Sequence, residues 1–198
     1  MVRNLNYMYH VMCVNPSDIN EHLPTIRDLA SECDHITEMG VRSAVSAWAW
    51  LAGMPKDGLY LYDLKNPKYF INGDPIKWIT ETGAQHNIPV YFTEADVLEI
   101  DIEETDLLFI DTWHCYDQLK AELARHSDKA KKYICFHDTT SYAHTNEPLT
   151  SENNWQDKVT DGKGVWDAVS EFLDANKDTW ELVHRYTNNN GFTIIKRI

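Results

Sequence analysis

Positive charge is scarce in this chain, and so are glycine-rich turns, paired cysteines and long apolar runs. Its 198 residues include 18 Lys and Arg against 31 Asp and Glu, a formal net charge of −13. Nucleic acids and anionic membranes both demand concentrated cationic side chains, so neither is an expected partner. No stretch approaches the roughly 18 apolar residues of a membrane-spanning helix. The opening residues Met1 to Tyr7 lack the apolar core of a secretory signal. The four cysteines, Cys13, Cys33, Cys115 and Cys135, form no C-x-x-C pair. Cys135 falls inside an apolar run, where a free thiol behaves as a small apolar group. A reducing, cytoplasmic setting is the expectation. Repeats and low-complexity linkers are also missing, so residues 1–198 read as one domain, a natural size for a single core.

Apolar periodicity divides the chain into alternating elements. Residues 16–33 read as a helix opened by Pro16-Ser17-Asp18, with Ile19, Leu23, Ile26, Leu29 and Ala30 at helical spacing. With the residues before it, this helix makes an N-terminal extension, 1–33. The first strand is short, about His35 to Thr37, and leads into Glu38-Met39-Gly40. A helix over about 42–52 follows, then a second strand from Leu59 to Tyr62 that ends at Asp63. A helix over about 74–86 precedes a third strand, Pro89 to Phe92. The run from Asp106 to Ile110 is the fourth strand, residues 114–126 the next helix, and Lys132 to Phe136 the fifth strand. Residues 139–162 are polar and, apart from Trp155, without apolar period, and so long an irregular stretch is usually a lid or binding loop, or else disordered. Beyond it, Val165, Val169, Phe172 and Leu173 mark a helix. Two last strands, Trp180 to Tyr186 and Phe192 to Arg197, flank Asn188-Asn189-Asn190-Gly191, a hairpin signal. Such alternation implies an α/β fold: a Rossmann-like doubly wound sheet, mostly parallel, closed by an antiparallel hairpin.

The chemistry gathers where such a sheet binds ligands, outside the carboxyl ends of its strands. The fourth strand, a continuous apolar run of the kind buried on both faces, runs into Asp111, with His114 three residues later. The fifth runs into His137-Asp138. Each residue has a quieter reading. Asp111 could cap the helix that begins near 114, His114 could point to solvent, and Asp138 could serve a turn. On a regular strand His137 should point away from Asp138. Trp48, Trp50, Trp78 and Trp166 read as packing residues, whereas Tyr142, His144 and Trp155 are available to line an acceptor site in the polar loop.

The turn after the first strand narrows the ligand. A dinucleotide site needs G-x-G-x-x-G, so that backbone can approach and donate to a pyrophosphate. Only Gly40 is present, and Glu38 two residues earlier would repel a diphosphate and attract an ammonium group. Asp63 lies 23 residues beyond Gly40, a spacing that suits an acid bonded to ribose hydroxyls, although it too could simply start a turn. A cofactor with a ribose and a cationic amine but no phosphate fits, and S-adenosylmethionine (SAM) meets that description.

These motifs together resemble class I SAM-dependent methyltransferases, in particular the metal-dependent small-molecule and sugar O-methyltransferases. The run Glu38-Met39-Gly40-Val41-Arg42-Ser43-Ala44-Val45-Ser46 is similar to that group's E-x-G-x-x-x-G-x-S, with Ala44 in place of the second glycine. The run from Phe109 to Tyr116 is similar to its I-D-x-x-H-x-Y, and Ala95-Asp96 resembles its G-D. The resemblance covers about residues 34–197 and implies a seven-stranded sheet of order 3-2-1-4-5-7-6. It implies that Glu38, Gly40 and Ser46 hold the methionine end of SAM, Asp63 the ribose and Asp96 the adenine side. It further implies that Asp111 and Asp138 bind a divalent metal such as Mg²⁺, with His114 as general base. Where relatives carry two acids or Asp-Asn after strand 5, this chain has His137-Asp138, so His137 stands as a further candidate ligand.

Methyl transfer from a sulfonium is an in-line displacement, so alignment of donor and acceptor is the main task. A hydroxyl acceptor must also lose its proton, to an imidazole or with help from a bound cation. The reading is therefore O-methylation of a hydroxylated small molecule or sugar, with residues 139–162 as acceptor lid. Two competitors stand beside it: a SAM-binding protein without transferase activity, and an NAD-type oxidoreductase, which the missing glycines disfavour. Apolar side chains in the first 15 residues offer a surface for a homodimer.

Overall fold

Alternating side chains on the inner strands set the layers of this molecule, which a computed structural model describes for residues 3–69, 72–148 and 159–198. Leu107, Phe109 and Cys135 face one core, while Leu108, Ile110, Ile134 and Phe136 face another. Such period-two alternation, apolar on both sides, is what a central strand covered on both faces requires. The strands are β1 (His35–Met39), β2 (Gly58–Asp63), β3 (Val90–Glu94), β4 (Thr105–Ile110), β5 (Ala130–His137), β6 (Trp180–Tyr186) and β7 (Phe192–Arg197). They form one sheet of order β3-β2-β1-β4-β5-β7-β6. Pairs from β3 through β5 are parallel, and β7 is antiparallel to both β5 and β6.

Among the described residues six α-helices cover the sheet: α1 (Leu5–Val14), α2 (Leu23–Ala30), α3 (Val45–Ala52), α4 (Pro75–Gln85), α5 (Tyr116–His126) and α6 (Val165–Ala175). Leu23 and Ile26 of α2, Trp48, Trp50 and Leu51 of α3 and Ile79 of α4 fill the first core. Leu119 and Leu123 of α5 and Val165 and Val169 of α6 fill the second. Each fully buried side chain of this size contributes about 1.5–3 kcal/mol. The hairpin turn adopts left-handed backbone at Asn189, Asn190 and Gly191, with φ of 44°, 69° and 97°. Asn and Gly tolerate that region.

Three expectations change. Residues 16–33 are not one helix: a 3₁₀ turn, Asn20–His22, runs into α2, where Pro24 occupies the first turn. Proline suits that position because it lacks the N–H that would go unpaired there. Helix α3 begins at Val45 rather than 42, since Arg42 and Ala44 are left-handed (φ 44° and 61°) and cannot join a right-handed helix. Helix α1 was not anticipated. Asn4 caps it, its side-chain oxygen accepting from the Tyr7 amide at 2.9 Å. Leu5 is buried in the first core and Met8, Tyr9, Met12 and Cys13 pack against it, while Tyr7 and Val14 stay exposed. The expected packing role holds for Trp48 and Trp50, both buried, and for Trp78 and Trp166, which pack partly buried against the two cores beneath the Arg3 and Arg185 guanidiniums.

Candidate active site

Strand register brings the expected residues into one row. Met39 pairs with both Tyr62 and Ile110, and Ile110 with Phe136. One residue further on, Gly40, Asp63, Asp111 and His137 therefore leave the sheet side by side. Glu38 lies two residues back from Gly40, so its side chain has the parity of Ile36, toward the first core.

At the ends of β4 and β5 the acids and imidazoles form a closed cluster. His114 Nε2 lies 3.1 Å from Asp111 Oδ1 and 3.1 Å from Asp138 Oδ2. His137 Nδ1 lies 3.2 Å from Asp111 Oδ1 and 2.9 Å from Asp138 Oδ2. The sequence expectation that His137 and Asp138 diverge fails for a local reason. Asp138 is left-handed, with φ of 57°, and that twist turns its carboxylate back toward the His137 ring. The alternative reading of Asp111 as a helix cap also fails. Helix α5 starts at Tyr116, and the Tyr116 amide donates to the Asn146 side chain at 2.8 Å instead.

The cluster's electrostatics follow from this pairing. Burial opposes a charge on His114, but hydrogen bonds with Asp111 and Glu147 and the negative charges of Asp111 and Asp138 outweigh it. Its pKa rises to about 10. Burial likewise opposes a charge on His137, and the Asp111 charge with hydrogen bonds to both aspartates raises it to about 11. Asp111 is held far below the usual carboxylate range: burial works against this, and the His137 and His114 imidazoles overcome it. Glu147, in the described part of the polar loop, completes the shell with Oε2 at 3.0 Å from His114 Nδ1. Sequence reasoning missed Glu147, since nothing local marks a partner 33 residues away. Tyr142 stacks on the His114 ring, centroids 5.3 Å apart and planes within 3°.

The β1 and β2 ends look different. Glu38 is fully buried, and its Oε1 accepts from the Ser46 hydroxyl. Its Oε2 has no hydrogen-bond partner among the described residues. Burial, first, and the nearby charges of Asp111 and Asp63 push its pKa well above the ordinary value, despite the Ser46 bond. Gly40 has φ of 86°, and a Cβ there would sit 1.9 Å from the Asp111 carbonyl oxygen. The glycine is thus demanded by close contact between the β1 turn and the end of β4. Asp63 accepts from the Val41 and Arg42 amides, both at 2.7 Å, and from the Lys65 amide at 3.0 Å. It therefore binds the β1 turn directly, rather than standing open at a crevice mouth. Asp96 is exposed and accepts from the Leu98 amide at 2.9 Å, forming its own turn between β3 and β4.

Behind the cluster lies a second buried carboxylate. Glu122 Oε1 accepts from the Thr112 hydroxyl at 2.6 Å and from Gln118 at 2.8 Å, while Oε2 is unpartnered among the described residues. Burial raises its pKa to about 7, against the lowering effect of those bonds. Thr112, Trp113, His114, Glu122 and His137 line a cavity of about 10 Å³. That is space for at most one water, so an acceptor molecule does not fit there.

Of the loop 139–162, residues 149–158 fall outside the described part, Trp155 among them. Its flanks are tied to α5. The Glu147 amide donates to the His114 carbonyl at 2.9 Å. The Thr160 amide donates to Asp117 at 2.7 Å, and the Asn146 side chain donates to the Thr160 carbonyl at 3.0 Å. His144 is turned outward, its ring 2.9 Å from Asp167.

No family model matches the sequence, and no curated protein matches it. Solved structures match along nearly its whole length. An O-methyltransferase from Bacillus cereus, in complex with SAH, is 12% identical with a TM-score of 0.61, over 98% of this chain and 90% of that one. A SAH-bound methyltransferase from Podospora anserina is 16% identical with a TM-score of 0.52, over 98% and 87%. Human N-acetylserotonin methyltransferase in complex with SAM is 15% identical with a TM-score of 0.54, over 98% and 55%. This chain has the fold of the class I methyltransferases. At such identities the likeness concerns the fold.

Among the described residues no helix is long and apolar enough to cross a membrane.

Proposed function

We propose that the chain is a SAM-dependent O-methyltransferase acting on a hydroxylated small molecule or sugar. One observation carries this reading: Glu38 buries a carboxylate oxygen with no partner at the strand ends where this fold binds ligands. An unpaired buried acceptor costs free energy, and a cofactor's ammonium group supplies the missing charge and donors. A diphosphate there would be repelled.

In this reading Glu38, Gly40 and Ser46 hold the methionine end of the cofactor, Asp63 its ribose and Asp96 the adenine side. Glu38 is fully buried, so binding requires the β1 turn to open. The Asp63 bonds to Val41 and Arg42 and the 2.9 Å Arg42–Asp18 ion pair are the contacts that break. Bound SAM supplies an electrophilic methyl group on a sulfonium. The chain's part is to align the acceptor oxygen with it and remove a proton. His114 is the proposed proton acceptor, at Nε2. To accept, that nitrogen must first lose its own proton, and positive charge arriving beside Asp111 favours this by repulsion. Tyr142, stacked on His114, shapes the acceptor side. The charge of −13 supports a small molecule over a nucleic acid as acceptor, working in the cytoplasm.

Mg²⁺ does not fit the cluster well. That ion prefers six oxygen ligands and keeps several waters, whereas Asp111, Asp138, His114 and His137 converge with two nitrogens and two oxygens. No step is assigned to it.

A second reading, SAM binding without methyl transfer, is favoured by one observation: both ring nitrogens of His114 already face carboxylates. Two measurements separate the possibilities. SAM and SAH, but not NAD, should raise the melting temperature; stabilisation by NAD alone would overturn the cofactor assignment. Replacing His114→Ala should leave SAM affinity within about threefold and lower turnover by about 10²-fold or more, the usual contribution of a general base. Unchanged turnover on an accepted hydroxyl substrate would remove His114 from the mechanism.

A further inference from the structure

We infer that Asp111, His114, His137 and Asp138 form a four-coordinate site for a first-row transition cation of the Zn²⁺ class. The mismatch with Mg²⁺ is the starting point. Four donor atoms, Asp111 Oδ1, Asp138 Oδ2, His114 Nε2 and His137 Nδ1, all lie within 4.8 Å of one another. The four nitrogen–oxygen edges measure 3.1, 3.1, 3.2 and 2.9 Å. A tetrahedral ion bound to nitrogen and oxygen at about 2.0–2.1 Å places neighbouring ligands about 3.3 Å apart. The four measured edges lie within a few tenths of an ångström of that spacing, and the oxygen–oxygen and nitrogen–nitrogen edges are within 4.8 Å.

A second observation concerns the far side of each ring. A metal-bound imidazole usually donates its other N–H to a carboxylate or a backbone carbonyl, which fixes the tautomer. His114 Nδ1 faces Glu147 Oε2 at 3.0 Å. His137 Nε2 faces the Asp18 carbonyl at 3.0 Å and the Asn189 carbonyl at 3.3 Å. With the outer protons held there, loss of the inner proton leaves each ring with a lone pair aimed at the common centre. Three separate stretches of chain, around Asp18, Glu147 and Asn189, hold the two rings in that orientation.

Imidazole nitrogen selects borderline cations, and carboxylates supply the two negative charges that neutralise a dication. Four protein ligands also close the coordination sphere, as in structural rather than catalytic sites. A consequence rests on the proposed methyl transfer: an ion held by His114 Nε2 occupies the nitrogen assigned to the proton, so metal and base would compete for one atom.

The test uses the full chain, freed of metal with a chelator and titrated by calorimetry with ZnCl₂ and separately with MgCl₂. One Zn²⁺ per chain is expected, bound at least about 10²-fold tighter than Mg²⁺. Co²⁺ should give the intense visible absorption of a four-coordinate nitrogen–oxygen centre. His137→Ala should abolish the Co²⁺ band. Glu147→Gln, which touches His114 at its amide and at the far side of its ring, should weaken Zn²⁺ by about 10–100-fold. If His137→Ala fails to fold, the wild-type Co²⁺ spectrum and Glu147→Gln still decide. Absence of Zn²⁺ binding, equal affinity for Mg²⁺, a six-coordinate Co²⁺ spectrum, or Zn²⁺ affinity untouched by these substitutions would each overturn the site. None of these readouts depends on turnover, so the metal site and the methyl-transfer reading can fail separately.

Discussion

Acids lie at neighbouring strand ends, and the fold treats them oppositely. At β4 and β5, Asp111 and Asp138 each meet two imidazoles. At β1, Glu38 is at least as deeply buried, yet a single hydroxyl is its only hydrogen-bond partner among the described residues. The first group has its charges paired within the protein; the second is a carboxylate held where a positive group would be welcome. Glu122 resembles the second group, with one oxygen bonded and the other not. The contrast separates acids already paired with imidazoles from an acid whose second oxygen awaits a partner.

The largest expected effect is at the paired site. Asp111→Asn leaves two imidazoles short of a counter-charge, and breaking a buried ion pair on one side costs about 3 kcal/mol. Urea unfolding at neutral pH would read this. A loss under about 1 kcal/mol would mean that the cluster contributes little to stability. Glu122→Gln gives a smaller, pH-dependent effect. The folded pKa of Glu122, about 7, lies above its ordinary 4.5. Its contribution to stability is therefore full below pH 4.5 and is lost as pH rises through 7. The glutamine variant escapes that loss, so it should match the wild type near pH 5 and exceed it by roughly 2 kcal/mol near pH 8. An equal gap at both values would contradict the assignment. Smallest of all is Glu38→Gln, expected to change stability by less than about 1 kcal/mol or to raise it slightly, since no charged partner is removed. A larger loss than that of Asp111→Asn would erase the contrast.

Much of the architecture was legible. Continuous apolar runs at β4 and β5, strand-end acids and the Asn-Gly turn specified the central strands and the closing hairpin, because those signals are local. Helix α1 escaped because its apolar residues meet partners distant in sequence on α3 and in the first core. The onset of α3 was misplaced because left-handed Arg42 and Ala44 carry no glycine to mark them. At the site, Asp111, His114 and Asp138 were visible from strand-end position alone. The convergence of His137 with Asp138 was not, because it depends on one positive φ. Glu147 and Glu122 owe their places to tertiary contacts that no short motif encodes.

The most direct measurement is a calorimetric titration of SAM into the wild type and into Glu38→Gln. A single site is expected, weakened about 10–100-fold in the variant, as loss of a charge-assisted hydrogen bond of about 1.5–3 kcal/mol would give. Equal SAM affinity in both proteins, or no binding to either, would contradict the assignment of Glu38 as the cofactor's anchor.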